Sequence, residues 1–307
     1  MALIFVTGAR GAIGQHVVRI ARARGDAVAG VGHGMWTGDR ELPEIGAWIN
    51  GDVTGDTLSE LTRQAGVPDL VVHLAGGSLV GASVQHPTED FRRTVESSQH
   101  LFEWQRTQAP DARIAIASSA AVYGDGHDGP IPERALYAPK SPYGTHKAMV
   151  EQQARSYAGQ FGSPISIVRL FSVYGPGLRK QLIWELTCRL AKGEEPLTLG
   201  GTGREKRDFV HIADAAQMLL GAAAVADNTV PVLNGCSGTP VTVARLVDQV
   251  ASHFPRRGIE FSGVARPGDP HSLVGDPTAM RRAGYATPTK LADGIAETVA
   301  WIKSRIG

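Results

Sequence analysis

The sequence has few cysteines and no surplus of either charge. Its 307 residues include two cysteines, Cys188 and Cys236, which are too few for a disulfide framework. Lysine and arginine number 31 against 30 acidic residues, so the net charge is +1, without the basic surplus that nucleic-acid binding requires. No apolar run approaches the roughly 18 residues that span a bilayer. We expect no nucleic-acid partner and no membrane partner.

Two further features are missing from the sequence. The N-terminus has no basic segment of the signal-peptide type and passes directly into Ala2–Val6, a run typical of a β-strand. Together with the low cysteine content, this favours a reducing compartment and predicts a cytoplasmic protein. No group of His, Cys and acidic residues has the spacing of a zinc site, so no metal is expected.

Glycine, in contrast, is abundant, with 37 residues. The first predicted strand leads into Thr7–Gly14, in which Gly8, Gly11 and Gly14 have the spacing G-x-x-G-x-x-G before a helix begins. A turn this tight brings backbone N–H groups close to a pyrophosphate at the positive end of the helix. Because the motif ends a strand and opens a helix, it predicts dinucleotide binding.

Short β-branched runs alternate with longer amphipathic stretches in the first half of the chain. This alternation predicts an α/β, doubly wound parallel-sheet Rossmann fold over residues 1–170. Prolines punctuate shorter elements over residues 171–307, which predicts a smaller C-terminal substrate-binding subdomain, with segments near 208–235 returning to the sheet. The predicted strands are Leu3–Val6, Ala27–Val31, Ala47–Asn50, Leu70–Leu74, Ile114–Ala117 and Ile165–Leu170, and the predicted helices include Ile13–Arg24, Thr88–Gln108 and Tyr143–Gln160.

The acidic residue that usually follows the second strand is missing. A Rossmann fold normally offers Asp or Glu there to the adenosine ribose, but this chain has Gly32, His33 and Gly34. Because a carboxylate repels a 2′-phosphate, its absence favours NADP over NAD, with Arg10 and His33 as phosphate ligands. Alternatively, both side chains are solvated and NAD binds without the carboxylate. Asp52, after the third strand, is a candidate acceptor for the adenine amino group.

Three side chains suit proton transfer. Tyr143 and Lys147 have the spacing Y-x-x-x-K at the start of a predicted helix, which places both on one face. A lysine cation favours the phenolate and brings the tyrosine pKa towards neutral pH. Ser119 follows a predicted strand at the edge of the sheet where parallel folds bind ligands. Its hydroxyl is a candidate to hydrogen-bond a substrate oxygen as that oxygen changes charge.

Over nearly its whole length the chain resembles the extended short-chain dehydrogenase/reductases of the nucleotide-sugar epimerase/dehydratase group. The matching segments are Thr7–Gly14, His73–Gly76, Val80–Pro87, Ser119–Gly124, Ser141–Lys147, Arg169–Gly177, Arg207–Asp214 and Arg266–Asp269. The resemblance implies that Tyr143 is the acid/base and that Lys147 is its partner and a ribose ligand. It also implies that Ser119 holds the reacting sugar oxygen.

The same resemblance implies the remaining contacts. Arg207 and Arg266 would clamp the nucleotide diphosphate, and a homodimer would form through Thr88–Gln108 and Tyr143–Gln160. The predicted substrate-binding residues are Ser78, Ser119, Ser172, Arg207 and Arg266. The predicted cofactor-binding residues are Gly8, Arg10, Gly11, Ile13, Gly14, His33, Asp52, Val53, Leu74, Ala75, Gly76, Tyr143 and Lys147.

The sequence also departs from the family pattern. Ala120 and Ala121 stand where dehydratases carry an Asp-Glu pair, so 4,6-dehydration lacks its acid and base. Ser78 stands where UDP-galactose epimerases usually have Lys, which argues against UDP-galactose as substrate. Ser172 and Thr94 each replace a usual Asn.

Three functions follow for comparison. The first is an NAD(P)-dependent nucleotide-sugar epimerase acting at sugar C4, with a role in polysaccharide biosynthesis. The alternative is an NADPH-dependent reductase of a nucleotide 4-keto-6-deoxysugar, which the missing ribose carboxylate favours. The third is a non-catalytic dinucleotide-binding regulator, which the presence of both Tyr143 and Lys147 argues against.

Overall fold

The computed structural model describes residues 1–36, 43–255, 258–264 and 270–306. No helix in these ranges combines the length and the apolar character that a membrane span requires. The strands are β1 (Leu3–Thr7), β2 (Ala27–Gly32), β3 (Ala47–Asn50), β4 (Leu70–His73), β5 (Arg113–Ser119), β6 (Ile165–Leu170), β7 (Ser172–Tyr174), β8 (Leu197–Leu199), β9 (Lys206–His211), β10 (Val232–Gly235), β11 (Pro240–Thr242), β12 (Ile259–Phe261) and β13 (Ser272–Leu273).

Helices connect most of these strands. They are α1 (Ala12–Ala23), α2 (Gly55–Ala65), α3 (Val80–Gln85), α4 (Pro87–Phe91), α5 (Ser97–Gln108), α6 (Pro142–Phe161), α7 (Gln181–Ala191), α8 (Ile212–Ala224), α9 (Val243–Ala251), α10 (Thr278–Arg282) and α11 (Leu291–Ile306). A π-helical turn joins α4 to α5 over Arg92–Glu96, and a 3₁₀ turn follows β5 over Ala120–Val122.

Seven strands form one parallel sheet in the order β10-β6-β5-β4-β1-β2-β3. The chain builds outwards from β1 in one direction and then from β4 in the other. A crevice therefore opens at the carboxyl ends of β1 and β4, where open α/β sheets bind ligands. This arrangement confirms the predicted doubly wound Rossmann fold.

The two faces of the sheet have separate cores. Val6 of β1 packs on one face with α1 and α8, whereas Phe5 packs on the other face with α2, α5 and α6. Successive strand residues point to opposite faces, so a strand covered on both sides must be apolar throughout. This explains why the sequence of β1 is a continuous apolar run rather than an alternating one.

The C-terminal part of the chain is divided between two places. β10 is an edge strand of the large sheet, and α8 packs against α1. β7, β11 and β13 all pair with β9 in a smaller sheet, while α7, α9 and α11 enclose a third core around Leu186, Val247 and Val299. The domain boundary at residue 170 stays a prediction. Because β7 of the smaller sheet directly follows β6, the smaller sheet begins at the carboxyl end of a strand of the large sheet.

The predicted continuous α-helix over Thr88–Gln108 is wrong at one point. The π-helical turn interrupts it at Arg92–Glu96, and Pro87 begins the helix. A π turn contains one more residue than an α turn, which rotates the preceding segment relative to the following one. As a result Asp90, Thr94 and Ser98 all reach the interior beside β4 and α6, where each is buried.

Candidate active site

The glycine turn brings β1 and α1 very close together. Gly8 has a positive φ of 68°, and a Cβ on Gly14 would lie 2.5 Å from the carbonyl oxygen of Gly8. Neither position accepts a side chain without moving the backbone. The turn therefore leaves a concave cradle at the N-terminus of α1, whose first turn carries no acidic residue. Backbone N–H groups and the positive end of the helix fit a dinucleotide pyrophosphate there.

A buried hydrogen-bond chain fixes the segment that leaves β4. The Thr7 hydroxyl accepts from the backbone N–H groups of Leu74 and Ala75, at 3.1 and 3.2 Å. It also lies 2.7 Å from Nδ1 of His73, whose Nε2 is 3.0 Å from the Ser98 hydroxyl. Since Ser98 donates to the Thr94 carbonyl, it accepts from Nε2–H of His73. Burial lowers the pKa of His73 to about 3, so this histidine is neutral.

Tyr143 lies at the N-terminus of α6, directly against Ser119. The Ser119 hydroxyl hydrogen-bonds the phenol and also accepts from the N–H of Ala121, at 3.2 Å. Burial raises the pKa of Tyr143, whereas the bond to Ser119 lowers it and the carboxylate of Asp90 raises it further. From the sequence, the neighbouring lysine predicts a lowered pKa for Tyr143, whereas in this structure burial of the phenol raises it.

Lys147 lies one helical turn after Tyr143, on the same face of α6. Its Nζ donates to the Ala117 carbonyl at 2.9 Å and lies 5.9 Å from the centroid of the Tyr143 ring. Burial lowers the pKa of Lys147 to about 8, while Asp90 and Glu151 favour its charged form. The ammonium of Lys147, which belongs to α6, is therefore held against β5 by this bond. It faces the cleft, near the tyrosine and near the space for a ligand.

The N-terminus of α6 is held by two serines. The Ser141 hydroxyl accepts from the N–H of Gly144 at 3.2 Å, which is an N-cap. The Ser83 hydroxyl, from α3, accepts from the N–H of Tyr143 at 3.0 Å. These two bonds satisfy orphan N–H groups of the first turn and fix the direction in which Tyr143 enters the helix.

A buried hydrogen-bonded pair lies behind the reactive residues. Asp90 and His146 approach to 2.6 Å between Oδ2 and Nδ1, and both are almost fully buried. The other carboxylate oxygen of Asp90 lies where a side chain at Gly77 would be, and the Gly77 N–H donates to the Thr94 hydroxyl at 2.8 Å. The pair thus joins α6 to the segment that leaves β4.

The residues predicted to contact adenosine interact with one another. Asp52 is 3.0 Å from Nε2 of His33 and 3.1 Å from a guanidinium nitrogen of Arg92. Desolvation raises the pKa of Asp52, but these two partners lower it below its ordinary value. The Arg10 guanidinium packs against Gly34. A carboxylate is therefore present near the end of β2, although it comes from the end of β3.

One cleft of about 1450 Å³ collects the predicted site residues. Of the catalytic, cofactor-binding and substrate-binding residues predicted from the sequence, all except Arg266 line it. Arg266 lies outside the described residues. Ser172 begins β7, and Arg207 lies on β9 in the smaller sheet. Within the described ranges, no group of His, Cys and acidic side chains is placed to hold a metal ion.

Sequence reasoning missed several residues of this site. Asp90, His146 and Ser83 were not singled out, and neither was Lys180, which lines the cleft and donates from Nζ to the Ser78 carbonyl at 3.2 Å. Polar residues such as Asp90 and His146 inside helical segments were the available signal. Their pairing joins two separate helices, α4 and α6, so helical periodicity does not show it.

Comparison with known proteins gives consistent matches. UDP-glucose 4-epimerase of Azospirillum brasilense is 28% identical over 98% of this chain and 92% of its own length. The structure of MoeE5 in complex with UDP-glucuronic acid and NAD is 32% identical, with a TM-score of 0.84 over 98% of this chain and 99% of that one. UDP-glucuronic acid 4-epimerase from Bacillus cereus, in complex with UDP-glucuronic acid and NAD, is 25% identical, with a TM-score of 0.86 and 99% coverage of both chains.

These complexes contain NAD, so the comparisons do not support the predicted preference for NADP. The model of the NAD dependent epimerase/dehydratase family matches residues 4–234, which cover the glycine turn, the Ser119 segment and the Tyr143–Lys147 pair. The chain is an NAD(P)-dependent enzyme of the extended short-chain dehydrogenase/reductase type, and it belongs to the NAD dependent epimerase/dehydratase family.

Proposed function

We propose that this enzyme interconverts the two C4 epimers of a UDP-sugar, using NAD. One observation carries the proposal: Ser119, Tyr143 and Lys147 meet at the carboxyl edge of the sheet, in the same cleft as the glycine turn. A phenol that bonds a hydroxyl and lies near an ammonium group can, as the phenolate, accept the proton of a sugar hydroxyl and return it. When bound, NAD supplies the acceptor for the C4 hydrogen.

Each side chain has a defined part in this proposal. Tyr143, as the phenolate, takes the proton of the C4 hydroxyl and later returns it from the phenol, while Ser119 donates a hydrogen bond to the oxygen as a carbonyl forms. Lys147 is held at Ala117 and stabilises negative charge on the phenol. Arg207 and Arg266 are proposed ligands of the diphosphate, because guanidinium groups match phosphate oxygens. Ser78 and Ser172 are proposed ligands on the sugar side.

The turn after Ser119 favours epimerisation over dehydration. Ala120 and Ala121 offer only methyl groups there, and Ala120 is fully buried. Removal of water from C5 and C6 needs a base and an acid in addition to Tyr143. We therefore propose that the sugar leaves the site with its oxygen atoms unchanged.

We also propose NAD rather than NADP as the cofactor. The Asp52 carboxylate, paired with His33 and Arg92, occupies the region where a 2′-phosphate would have to be neutralised. Asp52 already pairs with the Arg92 guanidinium and the His33 ring, and its carboxylate would repel a phosphate. The reductase alternative requires NADPH that enters and leaves in each cycle, whereas an epimerase regenerates its own cofactor.

The test combines cofactor identification with one substitution. We expect the purified protein to carry NAD and to convert UDP-glucose or UDP-glucuronic acid, the two UDP-sugars named for the relatives above, into the C4 epimer without net change in the cofactor. Tyr143→Phe removes the proton-transferring hydroxyl, so turnover should fall at least 1000-fold while NAD stays bound. Tyr285→Phe is the matched control and should behave like the unaltered enzyme.

Consumption of one NADPH per product would instead identify a reductase. Full activity of Tyr143→Phe would show that the proposed proton transfer is wrong.

A further inference from the structure

A second lysine lines the same cleft as Lys147. Lys180 immediately precedes α7, is half-buried, and donates from Nζ to the Ser78 carbonyl at 3.2 Å. Burial lowers the pKa of this lysine. An ammonium group has three N–H donors, and this bond uses one of them. Within the described part of the chain, no carboxylate lies at ion-pair distance from Lys180. The group is thus a cation that lines the cleft without a protein anion.

The backbone of residues 76–78 connects this lysine to the catalytic one. A Cβ on Gly76 would lie 3.6 Å from Nζ of Lys147, and Lys180 is bonded to Ser78 two residues further on. Two ammonium groups therefore flank one short segment, and the charge of Lys180 lowers the pKa of Lys147. Two neighbouring cations in a partly desolvated site favour an anion between or beside them.

Position within the substrate identifies the anion. In a nucleotide-sugar the diphosphate is attached at C1, whereas the reacting C4 lies across the ring and must reach Tyr143 and Ser119. The C6 group is attached to C5, the direct neighbour of C4. A cation beside Lys147 therefore lies nearer to C6 than to the diphosphate, for which Arg207 on β9 is the proposed ligand.

We propose that Lys180 binds a carboxylate at C6 of the sugar, so that the substrate is a UDP-uronic acid rather than a neutral UDP-hexose. This inference rests on the proposed 4-epimerase function. An ammonium pairs with a carboxylate as a point charge, whereas a hydroxymethyl group gains only an ordinary hydrogen bond from it.

The test compares two substrates that differ only at C6. For the unaltered enzyme, kcat/KM for UDP-glucuronic acid should exceed that for UDP-glucose. Lys180→Met should lower kcat/KM for UDP-glucuronic acid at least 30-fold, mainly through KM, and that for UDP-glucose less than threefold. Lys180→Arg, which keeps the charge, should recover part of the loss. Lys192→Met, an exposed lysine at the end of α7, is the matched control.

Binding measurements separate this inference from the proposed function. Calorimetric titration of UDP-glucuronic acid, UDP-glucose and UDP into the Tyr143→Phe enzyme, with and without Lys180→Met, requires no turnover. Selective loss of UDP-glucuronic acid affinity supports the proposal even if neither sugar is epimerised, in which case only the 4-epimerase function fails. An equal loss of affinity for all three ligands would assign Lys180 to the diphosphate. A lower NAD content of the Lys180→Met protein, with all three affinities unchanged, would assign it to the cofactor. Either result overturns the proposal.

Discussion

At the scale of single residues, the buried histidine under the cofactor segment makes stability depend on pH. Burial lowers the pKa of His73 to about 3, against about 6.5 in an unfolded chain. Between these values the unfolded state binds a proton that the folded state does not. The free energy of unfolding therefore rises with pH across this window. The contribution of neutral His73 to it is lost as pH falls from 6.5 towards 3, by about 1.4 kcal/mol per pH unit.

His73→Gln removes this titrating group and should flatten the acid limb. We expect the free energy of unfolding, measured by urea titration, to differ between pH 7 and pH 4.5 by about 2–3 kcal/mol less in the variant than in the unaltered protein. Comparing the two pH values within each protein cancels any general destabilisation. The exposed His253 provides the control, since His253→Gln should leave the pH dependence unchanged. Equal slopes for all three proteins would contradict the argument.

Whether the sequence predicts that two residues lie together depends on how far apart they are along the chain. Tyr143 and Lys147 are four residues apart on one helix, so helical geometry alone places them on one face. Lys180 and Ser78 are brought together by folding across 102 positions, and no local pattern relates them. The direction of the Tyr143 pKa was also missed, because local sequence indicates a neighbouring charge but not how deeply the phenol is buried.

At the scale of elements, α6 is tied to the sheet by one buried carboxylate. Glu151 is inaccessible to solvent and accepts bonds from Ser118 at 2.6 Å, Arg169 at 2.7 Å and Tyr137 at 2.7 Å. Burial raises its pKa, but these three partners together lower it below the ordinary value. Because α6 also carries Tyr143 and Lys147, this cluster fixes the reactive face of the helix against β5 and β6.

Glu151→Gln keeps the shape of the side chain but removes its charge. The guanidinium of Arg169, itself 1% exposed, is then left without its anion. Removing one partner of a buried ion pair typically costs about 3–5 kcal/mol, and we expect a loss of that size in urea unfolding. Glu89→Gln removes a carboxylate of an exposed pair with Arg92 and should leave the melting temperature unchanged. A Glu151→Gln protein as stable as this control would show that the cluster does not hold α6.

Helices and strands were predictable from the sequence where a single hydrophobic pattern continues through the whole segment. The strand β6 and the helix α6 lie within a residue of the predicted limits, because buried apolar runs and helical spacing mark them. The π-helical turn at Arg92–Glu96 was not predictable. Its residue Thr94 accepts a hydrogen bond from the N–H of Gly77, a contact between distant parts of the chain that forms only on folding.

At the scale of the whole molecule, an apolar groove remains on the outer side of the long helices. Phe91, Val95 and Met149 line it, between the π-helical segment and α6. Met149 is 43% exposed, and Phe161, at the end of α6, is 55% exposed. Both exposed side chains lie on α6, and an apolar groove with exposed apolar side chains on the same helix is typical of a surface that is covered by another protein.

We predict that a second copy of the chain covers this groove, as the family resemblance implied for these two helices. α6 has 20 residues and is therefore about 30 Å long, which suits packing against the equivalent helices of a partner around a two-fold axis. Light scattering after gel filtration should give twice the mass of one chain at micromolar concentration. Met149→Glu places a charge in the groove and should shift the mass to that of one chain.

Val67→Glu changes an exposed valine away from the groove and should leave the dimer intact. A single-chain mass for the unaltered protein, or a dimer that withstands Met149→Glu, would show that this groove is not the interface.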